Sequence, residues 1–258
     1  MTPKKRPSAA SAKVTAIVRR RIMSGGDRIW RIADFHGKPY MTVAQALSRL
    51  VRQGHLQRYG KGLYYLSQPG ESGPSTPDPA KLLALLDPQT KLYPAGLTAA
   101  KLLDFTSRTP KQIELATDSI SVPRQLVGKE TIIHTQRPKA WRSLSQTDAA
   151  LLDFLRRRGE TSDLSPDETV RKLLGHFAEE GRLERLLRVI ATEPPRVRAM
   201  LGAIGEQIGW PKARLRKARK GLNPESHYEF GVLAALEYSV EWLAREPQVS
   251  QKSKVRKK

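Results

Sequence analysis

Between Val14 and Leu66 the apolar positions first repeat at helical spacing and then alternate, and each change of pattern coincides with a glycine or proline. Val14, Ile17, Val18 and Ile22 predict a first amphipathic helix, with Arg19, Arg20 and Arg21 crowded beside its stripe. Gly25 and Gly26 end it by freeing the chain from helical geometry. A short helix is predicted around Ile32 to Phe35. Gly37, Lys38 and Pro39 then make a turn, because Pro39 pushes Lys38 out of the helical region. From Thr42 to Arg52 the apolar residues Val43, Ala46, Leu47, Leu50 and Val51 follow the i, i+3, i+4, i+7, i+8 spacing of one helix face. Thr42 stands where an N-cap belongs. Gln45, Ser48, Arg49 and Arg52 fall on the opposite face. After Gly54, the runs His55 to Tyr59 and Leu63 to Leu66, joined by Gly60-Lys61-Gly62, predict a hairpin, since glycines permit the positive φ of tight turns.

Helix, short helix, turn, helix and basic hairpin, in that order, is the layout of a winged helix-turn-helix. Its expected partner is double-stranded DNA. Arg can bridge guanine, Gln can bridge adenine and Ser suits either, so Thr42, Gln45, Ser48, Arg49 and Arg52 are the candidate DNA-facing residues of the third helix. Arg58 and Lys61 on the hairpin would meet phosphate. Charge supports the same partner. The net charge is +21, and residues 1 to 68 hold 14 Lys or Arg against 2 acids, so more than half of the excess lies in the first quarter of the chain. Lys252, Lys254, Arg256, Lys257 and Lys258 form a second basic cluster in a tail, 246–258, with few apolar residues.

Ser67 to Pro79 is rich in Pro, Gly and Ser, a composition that resists helix and sheet and reads as a linker between domains. The expected organisation is a winged domain over 8–67, a linker over 68–79, a second domain over 80–245 and the basic tail. In the second domain, Lys81 to Leu86 and Thr98 to Phe105 read as helices. Gln112 to Thr117 alternates and Thr131 to Thr135 is β-branched, so the two should pair in a small sheet. Helices are then predicted over Asp148 to Arg158, Pro166 to Glu180, Leu183 to Ala191 and Arg196 to Ile208, with a last long one over Ser226 to Ala244. Ser165-Pro166-Asp167-Glu168 is a strong helix start, with a cap, a proline in the first turn and acids at the positive end of the dipole. The fold class is therefore α+β and mostly α: a winged helix-turn-helix followed by a mixed domain with a small sheet and a helical bundle.

Several kinds of chemistry lose support. The chain has no cysteine, hence no disulfide, thiolate metal site or thiol nucleophile. His36, His55, His134, His176 and His227 include no i, i+4 pair, so a helical zinc site has no local support. Asp104 and Glu114 are spaced as a nuclease metal pair might be, but Ala116 stands where such a site would want lysine. No phosphate-cradling G-x-x-x-x-G-K or G-x-S-x-G elbow is present. No catalytic residue, metal or cofactor is expected. The basic start Met1 to Arg6 is not followed by an apolar signal core, and no later run approaches the length of a membrane span, so a cytoplasmic protein without membrane contact is expected.

Ile32-Ala33-Asp34-Phe35, the run Ala46 to Arg58 and Gly60 to Tyr65 resemble the winged-helix head of AbiEi-type antitoxins of bacterial type IV toxin–antitoxin systems, which act in abortive phage infection. Tyr93 to Ala100 with the two following strands resembles the start of that family's antitoxin domain, and Arg196 to Ala203 and Leu222-Asn223-Pro224 resemble its helical end. The resemblance spans residues 14 to 235. It implies a head that binds operator repeats, as a homodimer in one arrangement, and represses its own operon. It also implies a second domain that opposes a nucleotidyltransferase toxin without needing a stable complex. The alternative is a stand-alone winged-helix regulator whose second domain binds an effector or dimerises. A nucleic-acid-processing enzyme that docks through its winged helix is a third reading.

Overall fold

The apolar stripe of the first helix closes onto that of the second long one. In the computed structural model, which describes residues 9–26, 28–66, 69–70, 73–74 and 77–245, helix α1 spans Ala9–Ser24 and helix α2 spans Tyr40–Arg52. Val18 and Ile22 pack with Val43, Ala46, Leu47 and Leu50, all essentially excluded from solvent. Ile17, expected on the same stripe, lies at its edge and stays exposed. The α2 start differs from expectation. The helix begins at Tyr40 behind Pro39, no side chain caps it, and Thr42 is a half-buried residue inside the first turn. Proline supplies the start instead, because its fixed φ already suits a helix boundary and its ring ends the preceding turn.

Strand β1 (Ile29–Arg31) pairs antiparallel with β3 (Leu63–Tyr65), which also pairs with β2 (Gln57–Gly60), giving the order β1-β3-β2. The hairpin was legible, but β1 was not, since three residues are too few to display alternation. A 3₁₀ turn at Ile32–Asp34 follows β1, where the Asp34 carboxylate accepts the Arg31 N–H at 2.7 Å. The two-residue period of a strand then sorts this sheet into two faces. Trp30 and Tyr64 join the α1–α2 core, whereas Ile29, Leu63 and Tyr65 point the other way and meet Leu82 and Leu126.

That second face moves the unit boundary. Helix α3 (Pro79–Leu83) starts at the end of the expected linker, where Asp78 accepts the Ala80 N–H at 2.9 Å and Pro79 occupies the first turn. The first compact unit consequently comprises residues 1–88 and 122–129, the latter including helix α5 (Arg124–Val127), and does not end at residue 67. Cutting at the linker would strip Leu82 and Leu126 from Leu63 and Tyr65. Within the linker, strands β4 (Pro69–Gly70) and β5 (Gly73–Pro74) pair, contrary to the expectation of no sheet. A ladder of two residue pairs asks for few N–H donors, so proline is tolerated at its ends. Residues 67–68 and the tail 246–258 lie outside the described residues.

The second unit, residues 89–121 and 130–258, is built around helix α6 (Gln146–Arg156), in which every residue from Asp148 to Leu155 is buried. Helix α4 (Gly96–Leu102), α7 (Pro166–Phe177), α8 (Arg182–Val189), α9 (Pro195–Gln207) and α10 (Arg216–Arg219) share its core. The start expected at Ser165 is a full capping box, with Ser165 and Glu168 each accepting the other's N–H. Strand β7 (Glu114–Ala116) lies between β6 (Tyr93–Pro94) and β8 (Ile132–His134), antiparallel to the first and parallel to the second. The molecule is thus α+β, rich in helix with small sheets.

The long last helix expected over residues 226–244 is absent. Only a 3₁₀ segment, Gly231–Ala235, forms there, followed by turns and a bridge between Tyr228 and Ala244. Phe230, Leu233, Leu236, Ser239 and Trp242 are buried at intervals of three, the period of a 3₁₀ turn rather than an α-helix. Gly231 and Leu243 adopt φ of +60° and +68°, which an α-helix excludes. Trp242 instead packs against Gly202 of α9, where an added Cβ would approach its ring to 2.1 Å.

Candidate nucleic-acid interface

Helix α2 presents one face to the core and leaves the other to solvent. With Val43, Ala46, Leu47 and Leu50 buried, Gln45, Ser48, Arg49 and Arg52 are all exposed, so four of the five helix residues singled out from the sequence share an open surface. Thr42 is the exception and lies partly under it. At 100° per residue, Gln45, Ser48 and Arg52 form one line along the helix and Arg49 flanks it. The line begins a turn earlier than expected, at Met41, which is 65 % exposed, and Tyr40 beside it is equally open. Met41, Gln45, Ser48 and Arg52 follow the i, i+4, i+7, i+11 series. The same periodicity would have found Met41 had the helix been started at Tyr40 rather than after Thr42.

The hairpin supplies the second element. Arg58 and Lys61 are exposed, and Gly62 takes a φ of +75° to close the turn. A register shift between Arg58 and Gly60 leaves Tyr59 as the extra residue, and the Arg58 Nε donates to the Gly60 carbonyl at 3.2 Å. That bond holds the guanidinium along the strand beside Lys61. Among the described residues, Arg49, Arg52, Arg58 and Lys61 take part in no ion pair, so their charge is available to a polyanion. Two other cations of the unit are engaged. Arg28 and Arg31 both pair with Asp34 at 3.4 Å, and Arg28 also lies over the Trp30 ring at 4.4 Å.

The near miss for a metal pair resolves differently. Glu114 accepts from the Leu97 N–H and from Arg157 at 3.1 Å, and the His134 Nε2 lies 3.0 Å from it, while Asp104 takes no part in that cluster. Gly96 stands at φ +52° against the Glu114 carboxylate, where any Cβ would collide at 2.2 Å, and its N–H donates to Asp153 at 2.7 Å. These carboxylates are taken up by guanidinium and backbone N–H groups. Among the described residues no group of three or more acidic or histidine side chains is placed to hold a metal ion. Among the described residues no helix is long and apolar enough to cross a membrane.

No protein-family model matches this chain, and no curated protein matches it. Among solved structures, the crystal structure of RV2827C protein from Mycobacterium tuberculosis is similar over 89 % of this chain and 87 % of its own, with 17 % identity and a TM-score of 0.48. A likeness that loose assigns no residue a role.

Proposed function

We propose that the first unit is a winged helix-turn-helix that reads double-stranded DNA, with α2 as its recognition helix and the β2–β3 hairpin as its wing. The observation that carries this reading is the open line of Gln45, Ser48 and Arg52, with Arg49 beside it, on a helix locked in place by its opposite face. A helix with side chains, about 10–12 Å across, matches the width of the B-DNA major groove. Gln45 and Arg49 read base edges there, and Arg58 and Lys61 neutralise phosphates alongside. The resemblance to AbiEi-type antitoxins supports a further reading: the protein represses its own operon and, through its second unit, counteracts a nucleotidyltransferase toxin.

The test begins with the chain's own upstream region in a gel-shift titration. Arg49→Ala should cost about 1–3 kcal/mol on the specific site, or about fivefold to over a hundredfold in affinity, and relax preference at one base pair. Lys61→Ala should weaken all sequences alike and reduce the salt slope by about one contact. Unchanged affinity and preference in Arg49→Ala, together with an unchanged salt slope in Lys61→Ala, would remove these residue assignments, and absence of any sequence-preferring binding by the wild type would remove the DNA reading. The antitoxin role is tested by coexpression with an adjacent nucleotidyltransferase gene from an unrelated promoter. Growth should be rescued by the full chain, and failure of that rescue would favour a stand-alone regulator.

A further inference from the structure

The densest run of positive charge in the described chain is Lys212-Ala213-Arg214-Leu215-Arg216-Lys217-Ala218-Arg219-Lys220 of the second unit. The way α9 ends explains its placement. Gly209 takes φ +84° and donates to the Glu206 carbonyl at 3.0 Å, while the Trp210 N–H donates to the Gly205 carbonyl at 2.9 Å. These are the two bonds of a Schellman ending, which turns the chain sharply off the helix. Pro211 prevents its return. Trp210 is thereby set beside α8, and Leu215 and Ala218, both buried, pin the basic run to the core.

The result is a groove of about 470 Å³. Leu187 and the half-buried Trp210 give it apolar surface, and Arg188, Arg214, Arg216 and Lys217 surround it, with Glu184 the only acid among its lining residues. The Arg214 guanidinium lies over the Trp210 ring at 5.2 Å. Other cations of the run are engaged elsewhere: Lys212 pairs with Glu206 at 3.2 Å, and Arg219 covers Trp242 at 4.2 Å while donating to the Glu241 carbonyl. Arg188, Arg214, Arg216 and Lys217 form no ion pair among the described residues, so four uncompensated charges converge on one aromatic shelf.

From this geometry we infer that the groove binds a nucleobase with its attached phosphate. The open part of the indole, with an arginine stacked beside it, offers a planar base a stacking surface, and stacking of this kind tolerates any base. Arg188, Arg216 and Lys217 then meet the phosphate, with the guanidiniums suited to bidentate contact. Glu184 accepts an exocyclic amino group or a ribose hydroxyl. The same chemistry is carried by a free nucleotide and by an unpaired nucleotide of a single strand. The inference is independent of the DNA reading proposed for α2, because it concerns residues of the second unit alone.

Trp210 is the natural reporter. The protein has four tryptophans, and Trp30, Trp141 and Trp242 are buried to within 1 % exposure. Titration of the full chain with ATP, GTP and a short single-stranded oligonucleotide should give saturable quenching of tryptophan emission by at least one of them, and which one responds identifies the source. In Trp210→Phe the quenching should vanish while calorimetry still detects binding. Arg188→Glu with Lys217→Glu, both at exposed positions, should lower the calorimetric affinity at least about tenfold without changing the circular dichroism spectrum. The inference fails if no ligand gives a saturable signal at about 1 mM, if quenching persists in Trp210→Phe, or if the double charge reversal leaves affinity unchanged.

Discussion

Replacing Asp148 with asparagine should destabilise the second unit by about 3 kcal/mol or more, because it leaves a buried arginine facing an amide. The Asp148 side chain is completely buried at the start of α6, where Arg185 reaches it at 2.8 Å and Arg182 at 3.2 Å. Arg182 is itself almost fully buried and donates also to the His176 carbonyl and to Glu179. An asparagine of the same shape keeps the packing but loses the charge and directs N–H groups at guanidinium. Burial alone would push the Asp148 carboxyl up, yet hydrogen bonds from Arg185, Ser145 and Arg182 override it and hold the group below the ordinary carboxylate range. A carboxyl lowered in the folded state stabilises above its unfolded pKa, near 4, and that stabilisation is lost as pH falls through the folded value. Urea unfolding followed by far-ultraviolet circular dichroism should therefore show a gap between wild type and Asp148→Asn that is full near neutral pH and narrows below about pH 4. A gap that stays constant across that range would assign the loss to packing and not to the charge.

Trp141→Ala should be of similar size, about 3–5 kcal/mol, for a different reason. The Trp141 indole is wholly excluded from solvent and meets Tyr93 edge to face at 5.8 Å, while its carbonyl accepts the Tyr93 hydroxyl at 2.7 Å. Its Nε1 donates to Glu193 at 2.7 Å, and the other Glu193 oxygen takes the Arg156 Nε at 2.7 Å. Truncation opens a cavity and deprives a buried carboxylate of one donor. Trp141→Phe largely separates the two costs, since an aromatic ring, though a smaller one, stays and the N–H goes. It should lose about 1–3 kcal/mol, the cost of leaving one buried acceptor unsatisfied. Equal losses for the two variants would mean that the Glu193 bond, and not ring volume, dominates.

Where the chain's own chemistry is local, sequence and structure agree closely. The capping box at Ser165 and Glu168 needs only residues three apart, and the apolar face of α2 needs only the pitch of a helix. The α2 start was misplaced because a threonine cap and a proline boundary compete for the same few residues, and the proline, whose backbone is fixed covalently, prevails. For the candidate interface, Gln45, Ser48, Arg49, Arg52, Arg58 and Lys61 were legible as residues opposite a buried stripe or on a glycine-framed turn, while Met41 was hidden by that misplaced start. The groove at Trp210 was not legible. Its arginines and lysines come from two segments, Arg188 on α8 and Arg214 to Lys217 after α9, which no local spacing connects.

By itself the sequence determined the helices whose stripes repeat over several turns, the hairpin, the pairing of the two later strands and the concentration of charge in the first quarter of the chain. Each depends on residues within one or two turns of one another, so the pattern is complete before folding. Only the tertiary structure decided that β1 exists, since three residues become a strand by finding β3. It likewise decided that the first unit extends past its proline-rich linker, because the outer face of its sheet needs Leu82 and Leu126 to bury Ile29, Leu63 and Tyr65. The stretch from Ser226 to Ala244 carries good helix formers, yet Gly231 and the seat that Gly202 offers Trp242 settle it as 3₁₀ turns. Helix propensity is worth tenths of a kcal/mol per residue, whereas burying a tryptophan against a close-packed helix is worth several, so the packing determines the backbone there.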